Sequence, residues 1–158
     1  MFSRDDLEAF GYYDQDKYAD EKAAQARLFC MTPLSMVREF STAMGQPLDQ
    51  PHPFDTIDVE SDSEEGKLEA LRFGFVLEEF GEFENATSKE NLLKELADLV
   101  YVAYGYAATY GLNLDEAVRR VHVSNMSKLD DDGKPVRRED GKILKGPNYK
   151  EPYLGDLI

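Results

Sequence analysis

The chain of 158 residues is long enough for one domain with its own hydrophobic core, and its 42% hydrophobic content is typical of a globular protein. The formal net charge of −14 argues against binding to a nucleic-acid polymer, because that binding needs a cationic surface. The single cysteine, Cys30, excludes an intramolecular disulfide and, with the charged N-terminal stretch MFSRDDLEAF, predicts a cytoplasmic protein. The sequence has no apolar run of about eighteen residues, so no membrane association is expected.

Local signals predict four helices in the middle of the chain, preceded by a short helix through DKYADEKAAQARL. Each of the four has a serine, threonine or asparagine as its N-cap, with proline or glutamate in the first turn of three of them. Glycines after the first and third helices are stop signals. The first predicted helix spans residues 33–44 and is capped by Thr32, and the second runs from near 61–63 to about 83 and is capped by a serine. The third spans about 89–110 and is capped by Ser88, and the fourth spans 114–128 and is capped by Asn113.

The helical pattern stops after Lys128, where DDDGKP, EDG and KGPN are turn sequences and VRREDGKIL suggests a small hairpin around Asp140-Gly141. Seven of the 18 Lys and Arg lie between Lys128 and Lys150, so this segment is either a solvated basic tail or a cationic patch with a function. The sequence therefore predicts an all-α fold of the four-helix-bundle type in three parts. These are an N-terminal extension of unassigned role (1–31), a helical domain (32–128) and a loop-rich basic tail (129–158).

Two acidic motifs conflict with the apolar stripes of their helices. EEFGE occupies residues 78–82 on the second predicted helix, and ELAD occupies residues 95–98 on the third. At about 100° per residue, the glutamates of the first motif continue the stripe of Leu68, Leu71 and Phe75 instead of opposing it. The second motif repeats this relationship with its own apolar neighbours. We therefore expect five carboxylates to face the bundle interior: Glu78, Glu79, Glu82, Glu95 and Asp98.

A buried cluster of carboxylates needs a counter-ion, because each unpaired buried charge costs several kcal/mol. Nearby cations are few: Arg72 lies at the edge of the stripe, and Lys94 is expected to point elsewhere. Oxygen ligands at i, i+3 and i, i+4 spacing suit Mg²⁺ or Mn²⁺. A di-iron site would need a histidine three residues after a glutamate, and neither His52 nor His122 satisfies this spacing.

The fourth predicted helix adds a second group of polar residues. Asn125 and Lys128 extend its apolar stripe, Leu114, Val118 and Val121, at the C-terminal end. An inward lysine beside a metal-filled acidic cavity is suited to contact phosphate, with the asparagine as a neutral hydrogen-bonding partner. The alternative is that the lysine simply pairs with a buried carboxylate.

EEFGE followed by ELAD, and then by SNMSK, resembles the EExxE and ExxD signature of the all-α nucleotide pyrophosphohydrolase superfamily, in its MazG-like branch. That superfamily includes dimeric dUTPases and phosphoribosyl-ATP pyrophosphohydrolase, and the resemblance covers roughly residues 33–154. It implies that the metal ligands are Glu79, Glu82, Glu95 and Asp98. Glu78, the first glutamate of the motif, is implied to help activate water or to contact a further metal. The substrate contacts expected from the resemblance and from the charge pattern are Asn125, Lys128, Lys142, Lys145, Tyr149 and Arg72.

The resemblance implies a Mg²⁺-dependent enzyme that cleaves a nucleoside or deoxynucleoside triphosphate between its α and β phosphorus atoms. The products would be the monophosphate and pyrophosphate, and the enzyme would be a homodimer or homotetramer with its sites near subunit interfaces. One alternative keeps the site but takes phosphoribosyl-ATP as the substrate. Another is a non-catalytic acidic interaction protein, which would carry dispersed, outward carboxylates. The base and the sugar are not predicted.

Overall fold

The computed structural model describes residues 15–55 and 63–158. The chain divides into two compact units, Met1–Thr32 and Pro33–Ile158. In the described part of the first unit, helix α1 covers Gln15–Cys30. The short helix predicted there is confirmed and is slightly longer than expected.

The second unit is helical up to the tail. Its elements are α2 (Pro33–Ala43), a 3₁₀ turn (Pro53–Asp55), α3 (Glu64–Glu84), α4 (Lys89–Thr109) and α5 (Leu114–Met126). The described residues form no β-strand, only two isolated antiparallel bridges in the tail. The predicted all-α class is confirmed, and the predicted helix bounds are close to the observed ones. No helix within the described ranges is both long and apolar enough to cross a bilayer.

The helix ends follow the local signals, with one exception. Ser88 and Asn113 cap α4 and α5 as predicted, and Gly111 follows α4 at a φ of 68°, a left-handed conformation that glycine adopts without strain. Ser63 caps α3 by accepting a hydrogen bond from the backbone N–H of Gly66 at 3.0 Å. The residue three after this cap is Gly66, so Ser63 does not form a capping box with one of the glutamates of the first turn.

Helix α4 is the central helix of this unit, since it packs against both α2 and α3. The buried core is formed by Val37 of α2 with Tyr104 and Ala108 of α4. The loop after α2 is fastened to the end of α4: the N–H of Asp49 donates to the carbonyl of Ala108, and the N–H of Gln50 donates to that of Thr109. These contacts hold α2, its loop and the C-terminal end of α4 together.

The core is small, and the predicted apolar stripes are not fully buried within one chain. Leu71 of α3 is 52% exposed, and Val118 of α5 is 51% exposed. The expectation that these stripes face inward is therefore wrong for Leu71 and Val118 in the single chain. The tail packs against a different side of α5, where Ser124 is buried. Large apolar side chains that are exposed on α3 and α4 are Leu71, Phe73, Leu77, Phe80, Leu92, Leu93, Leu96, Val100 and Tyr101.

The non-helical tail, residues 129–158, is attached to α5 by specific polar contacts. The hydroxyl of Ser124 donates to the carbonyl of Lys150 at 2.7 Å. The guanidinium of Arg120 pairs with Asp156, with its Nη1 2.5 Å from Oδ1 and its Nη2 2.9 Å from Oδ2. The tail therefore follows α5 as part of the same compact unit.

The predicted turn at Asp140-Gly141 is present in this tail. Gly141 has a φ of 85°, and Arg137 and Ile143 form an isolated antiparallel bridge on either side of the turn. The turn chemistry thus determines the local structure, although the flanking residues are too few to form strands.

Candidate active site

The two acidic motifs meet where α3 and α4 lie side by side. One carboxylate oxygen each from Glu79, Glu82 and Glu95 lies within 4.8 Å of the other two. Glu95 is only 5% exposed, Glu79 is half-buried and Glu82 is exposed. The structure therefore brings together three of the four residues predicted to bind the metal.

Asp98, the fourth predicted metal ligand, is connected to this group by Lys94. The ammonium of Lys94 lies 2.8 Å from Glu95 Oε2 and 2.9 Å from Asp98 Oδ2. The expectation that Lys94 points elsewhere is wrong, because its i, i+4 spacing to Asp98 puts both side chains on one face of α4. Lys94 is 61% exposed, so it compensates the cluster from the solvent side.

The expectation that all five carboxylates face the interior is wrong for Glu82, which is exposed, and for Glu78, which does not join the cluster. The side chain of Glu78 is exposed, whereas Glu79 is half-buried and Arg72 is buried. Arg72 and Glu79 are seven residues apart and therefore lie on nearly the same face of α3, about 100° from Glu78. The face of α3 that turns inward is therefore more polar than the apolar stripe suggested.

The electrostatics of the cluster favour a bound cation. Burial, with the nearby charges of Glu82 and Asp98, raises the pKa of the Glu79 carboxyl, and one oxygen of that group, Oε2, is buried without a hydrogen-bond partner. The hydrogen bond from Lys94 lowers the pKa of Glu95. A buried carboxylate oxygen without a donor, among like charges, is unfavourable unless a cation approaches it. The oxygen-only ligand set fits a hard divalent ion such as Mg²⁺ or Mn²⁺.

Asn91 is a residue of this site that the sequence reasoning missed. Its amide nitrogen, Nδ2, donates to Glu95 Oε1 at 2.5 Å and so fixes the orientation of that carboxylate. The signal was available, since the two residues are spaced i, i+4 on one helix. The carboxylate thus has a neutral donor on one oxygen and Lys94 on the other.

A cavity of about 220 Å³ extends from Glu79 to Arg72, between α2, α3 and α4. Arg72 is one of the residues that line it, and both terminal nitrogens of its guanidinium are 3.4 Å from Gln46 Oε1. The role of Arg72 in substrate binding stays a prediction. Gln46 was not anticipated, because its contact joins residues far apart in sequence. The cavity is lined by Val37, Phe40, Ser41, Gln46, Arg72, Phe75, Glu79, Tyr101, Val102 and Gly105.

The other predicted substrate contacts lie elsewhere on the chain. The ammonium of Lys128 donates to Asn125 Oδ1 at 2.7 Å, so these two residues do form a pair. In the tail, the ammonium of Lys145 lies 4.3 Å from the centre of the Tyr149 ring, and Lys142 is exposed. Within the part of the chain that the structure describes, none of these five side chains has a hydrogen bond or ion pair with the acidic cluster.

A protein-family model for phosphoribosyl-ATP pyrophosphohydrolase matches residues 37–125. This range is more than half of the chain, and it extends from α2 to the end of α5 with both acidic motifs inside it. No curated protein sequence matches the chain.

Proposed function

The chain belongs to the phosphoribosyl-ATP pyrophosphohydrolase family of all-α, MazG-like enzymes, and we propose that its substrate is a nucleoside or deoxynucleoside triphosphate. Family membership makes the protein a pyrophosphohydrolase, a hydrolase of phosphoric anhydrides. The proposed reaction is a Mg²⁺-dependent cleavage between the α and β phosphorus atoms that releases the monophosphate and pyrophosphate. The observation that carries this proposal is the convergence of carboxylate oxygens from Glu79, Glu82 and Glu95 to within 4.8 Å.

In this proposal Glu79, Glu82, Glu95 and Asp98 hold the metal. Bound Mg²⁺ or Mn²⁺ would neutralise charge on the phosphate oxygens and would lower the pKa of the attacking water, so that it loses a proton more readily. The buried, unpartnered oxygen of Glu79 and the oriented carboxylate of Glu95 support this assignment.

The exposed Glu78 is proposed to act on the attacking water. Its carboxylate accepts a proton as the water oxygen bonds to the α phosphorus, and the bond to the bridging oxygen breaks. Pyrophosphate then leaves with the electron pair of that bond. This role rests on the resemblance, because Glu78 matches the first glutamate of the EExxE signature.

The basic residues of α5 and the tail are proposed to bind the phosphates in the site of a neighbouring subunit. Within the described ranges they form no hydrogen bond or ion pair with the cluster of their own chain, and the exposed apolar side chains of α3 and α4 offer a surface for a second copy. The protein would then be a homodimer or homotetramer in which residues 129–158 close on a site of the assembly. The residues assigned to the outgoing pyrophosphate are Asn125, Lys128, Lys142, Lys145 and Tyr149.

Phosphoribosyl-ATP is a second candidate substrate, favoured by the family match. Its hydrolysis would break the same α–β bond and use the same carboxylates. A non-catalytic acidic interaction protein is disfavoured, because three of its carboxylates would not be expected to converge.

The test is incubation of the protein with each common NTP and dNTP and with phosphoribosyl-ATP, in the presence of Mg²⁺ or Mn²⁺ and ¹⁸O-labelled water. Chromatography and mass spectrometry would identify the products and locate the label. We expect monophosphate and pyrophosphate, with the label in the monophosphate because water attacks the α phosphorus, and no reaction in EDTA. Exclusive cleavage of phosphoribosyl-ATP would replace the first proposal by the second, and cleavage of none of these compounds would overturn both.

A further inference from the structure

The guanidinium of Arg72 is a buried cation with incomplete hydrogen bonding. The residue is only 7% exposed, and its Nε is buried without a hydrogen-bond partner. Its two terminal nitrogens share one acceptor, Gln46 Oε1, at 3.4 Å, which is long for a hydrogen bond. Among the described residues no carboxylate forms an ion pair with it. A guanidinium has five N–H donors, so Arg72 has capacity to bind further acceptors.

Arg72 lies at a defined distance from the acidic cluster. It precedes Glu79 by seven residues on α3, which corresponds to a rise of about 10.5 Å along the same face of the helix. The cavity of about 220 Å³ connects the two side chains. This volume is below the roughly 300–1,000 Å³ of pockets that enclose whole drug-sized ligands, so the cavity suits one planar ring system and not a complete nucleotide.

The walls of the cavity are suited to the faces of an aromatic ring. Phe40, Phe75 and Tyr101 line it, and Phe40 and Tyr101 contact each other edge to face, with their centroids 5.9 Å apart. A phosphate group would lose its hydration among these side chains, whereas a nucleobase would stack on them. The triphosphate therefore belongs at the Glu79 end and the base at the Arg72 end.

Resting on the proposed function, we propose that Arg72 determines base specificity by donating two hydrogen bonds to a base with two adjacent acceptors. Guanine presents O6 and N7 in this way, and cytosine presents O2 and N3. Adenine places an amino donor beside each ring-nitrogen acceptor on its Hoogsteen and Watson–Crick edges, and that donor would meet the donors of Arg72. Gln46, already in contact with the guanidinium, holds it in position for this pairing.

The experiment measures binding of dGMP, dCMP, dTMP and dAMP to the intact protein by NMR titration, together with kcat/KM for the matching triphosphates. We expect dGMP or dCMP to bind about 10- to 100-fold more tightly than dAMP, the discrimination that a bidentate arginine contact provides. Arg72→Gln should abolish this preference by weakening the favoured base. Arg72→Lys should abolish it too, because lysine keeps the charge but lacks the planar pair of donors.

The control is Lys67→Gln, which removes a positive charge from the exposed side of the same helix and should preserve the preference. If dAMP binds as tightly as dGMP and dCMP to the wild-type protein, the proposal is wrong, and this result does not depend on whether the Arg72 variants fold. A preference that survives in a folded Arg72→Lys variant would also overturn it. Base-selective binding without any hydrolysis would support this inference and contradict the proposed function, while hydrolysis without base preference would do the opposite.

Discussion

The ammonium of Lys94 lies 2.8 Å from Glu95 Oε2 and 2.9 Å from Asp98 Oδ2, within the group of carboxylates assigned to the metal. Its hydrogen bonds to Asp98 and Glu95 raise the pKa of Lys94, so it stays protonated across the neutral range. The lysine is therefore a cation on the solvent side of the cluster that competes with a divalent ion for two of the four proposed ligands.

Replacing this cation should strengthen metal binding. We expect Lys94→Gln to bind Mg²⁺ several-fold more tightly than the wild type, because the variant removes both the competition and the like-charge repulsion. In the absence of metal the same variant should be less stable to heat, since the carboxylates lose their counter-ion. Calorimetric titration with Mg²⁺ and thermal unfolding in EDTA measure the two effects.

Lys89→Gln is the matched control, because Lys89 is an exposed lysine in the first turn of the same helix. Lys89→Gln should leave both the Mg²⁺ affinity and the thermal stability in EDTA unchanged. Weaker Mg²⁺ binding by Lys94→Gln would show instead that the lysine supports the site.

The tail depends on a close backbone approach at Gly146. A Cβ at this position would lie 2.6 Å from the carbonyl oxygen of Lys128, a distance that requires the backbone to shift. We expect Gly146→Ala to loosen the tail from α5 at a cost of about 1–3 kcal/mol, as in other overpacked sites. Limited trypsin digestion should then cleave the lysine- and arginine-rich tail faster than in the wild type.

Gly155→Ala provides the comparison, because a Cβ there would meet only the Tyr153 side chain, at 3.3 Å. This variant should be digested at nearly the wild-type rate. Equal digestion of Gly146→Ala and the wild type would mean that the approach at Gly146 does not fix the tail.

A pH-dependent contribution to stability is expected from the ion pair of Arg38 and Asp49, whose two hydrogen bonds are 2.7 and 2.6 Å long. The bond from Arg38 lowers the pKa of Asp49 below its ordinary value of about 3.9. A lowered folded-state pKa contributes stability above the unfolded value, and this contribution is lost as the pH falls through the lowered pKa. Because Asp49 is 55% exposed, solvent screening limits the contribution to at most about 1 kcal/mol.

Asp49→Asn removes the charge of the side chain and preserves the backbone conformation, since asparagine tolerates the left-handed φ of 53° that Asp49 adopts. Urea unfolding at neutral pH should show the variant to be less stable than the wild type. The difference should shrink as the pH falls below the ordinary carboxyl range. A difference that stays constant from neutral to acidic pH would assign the effect to something other than the ionised pair.

The sequence predicts the helices well, because their ends depend on local signals. Ser88, Asn113 and Gly111 each act within one turn of the chain, and the structure places them as expected. The grouping of Glu79, Glu82 and Glu95 also follows from short spacings on two neighbouring helices. Features that depend on one element of secondary structure, or on two adjacent ones, were therefore predictable.

The remaining errors concern which face of a helix turns inward and what lies opposite it. The apolar stripe of α3 predicted that Glu78 and Leu71 are buried, but Arg72 and Glu79 occupy the inward face. Periodicity measures hydrophobicity around one helix, and it does not distinguish a core from a surface that another subunit could cover. The contact of Arg72 with Gln46 could not be predicted for a related reason, because it joins α3 to the loop after α2, 26 residues earlier in the chain.

The most direct test of the proposed catalytic centre is the turnover of Glu82→Gln beside that of Glu84→Gln. Both glutamates are exposed on the last turns of α3, but only Glu82 belongs to the converging carboxylates. With a cleaved triphosphate and saturating Mg²⁺, we predict that Glu82→Gln loses about 100-fold or more in kcat/KM and that Glu84→Gln retains wild-type activity, both with unchanged helical circular dichroism. Near-wild-type turnover by a folded Glu82→Gln variant would contradict the assignment of this cluster as the metal site.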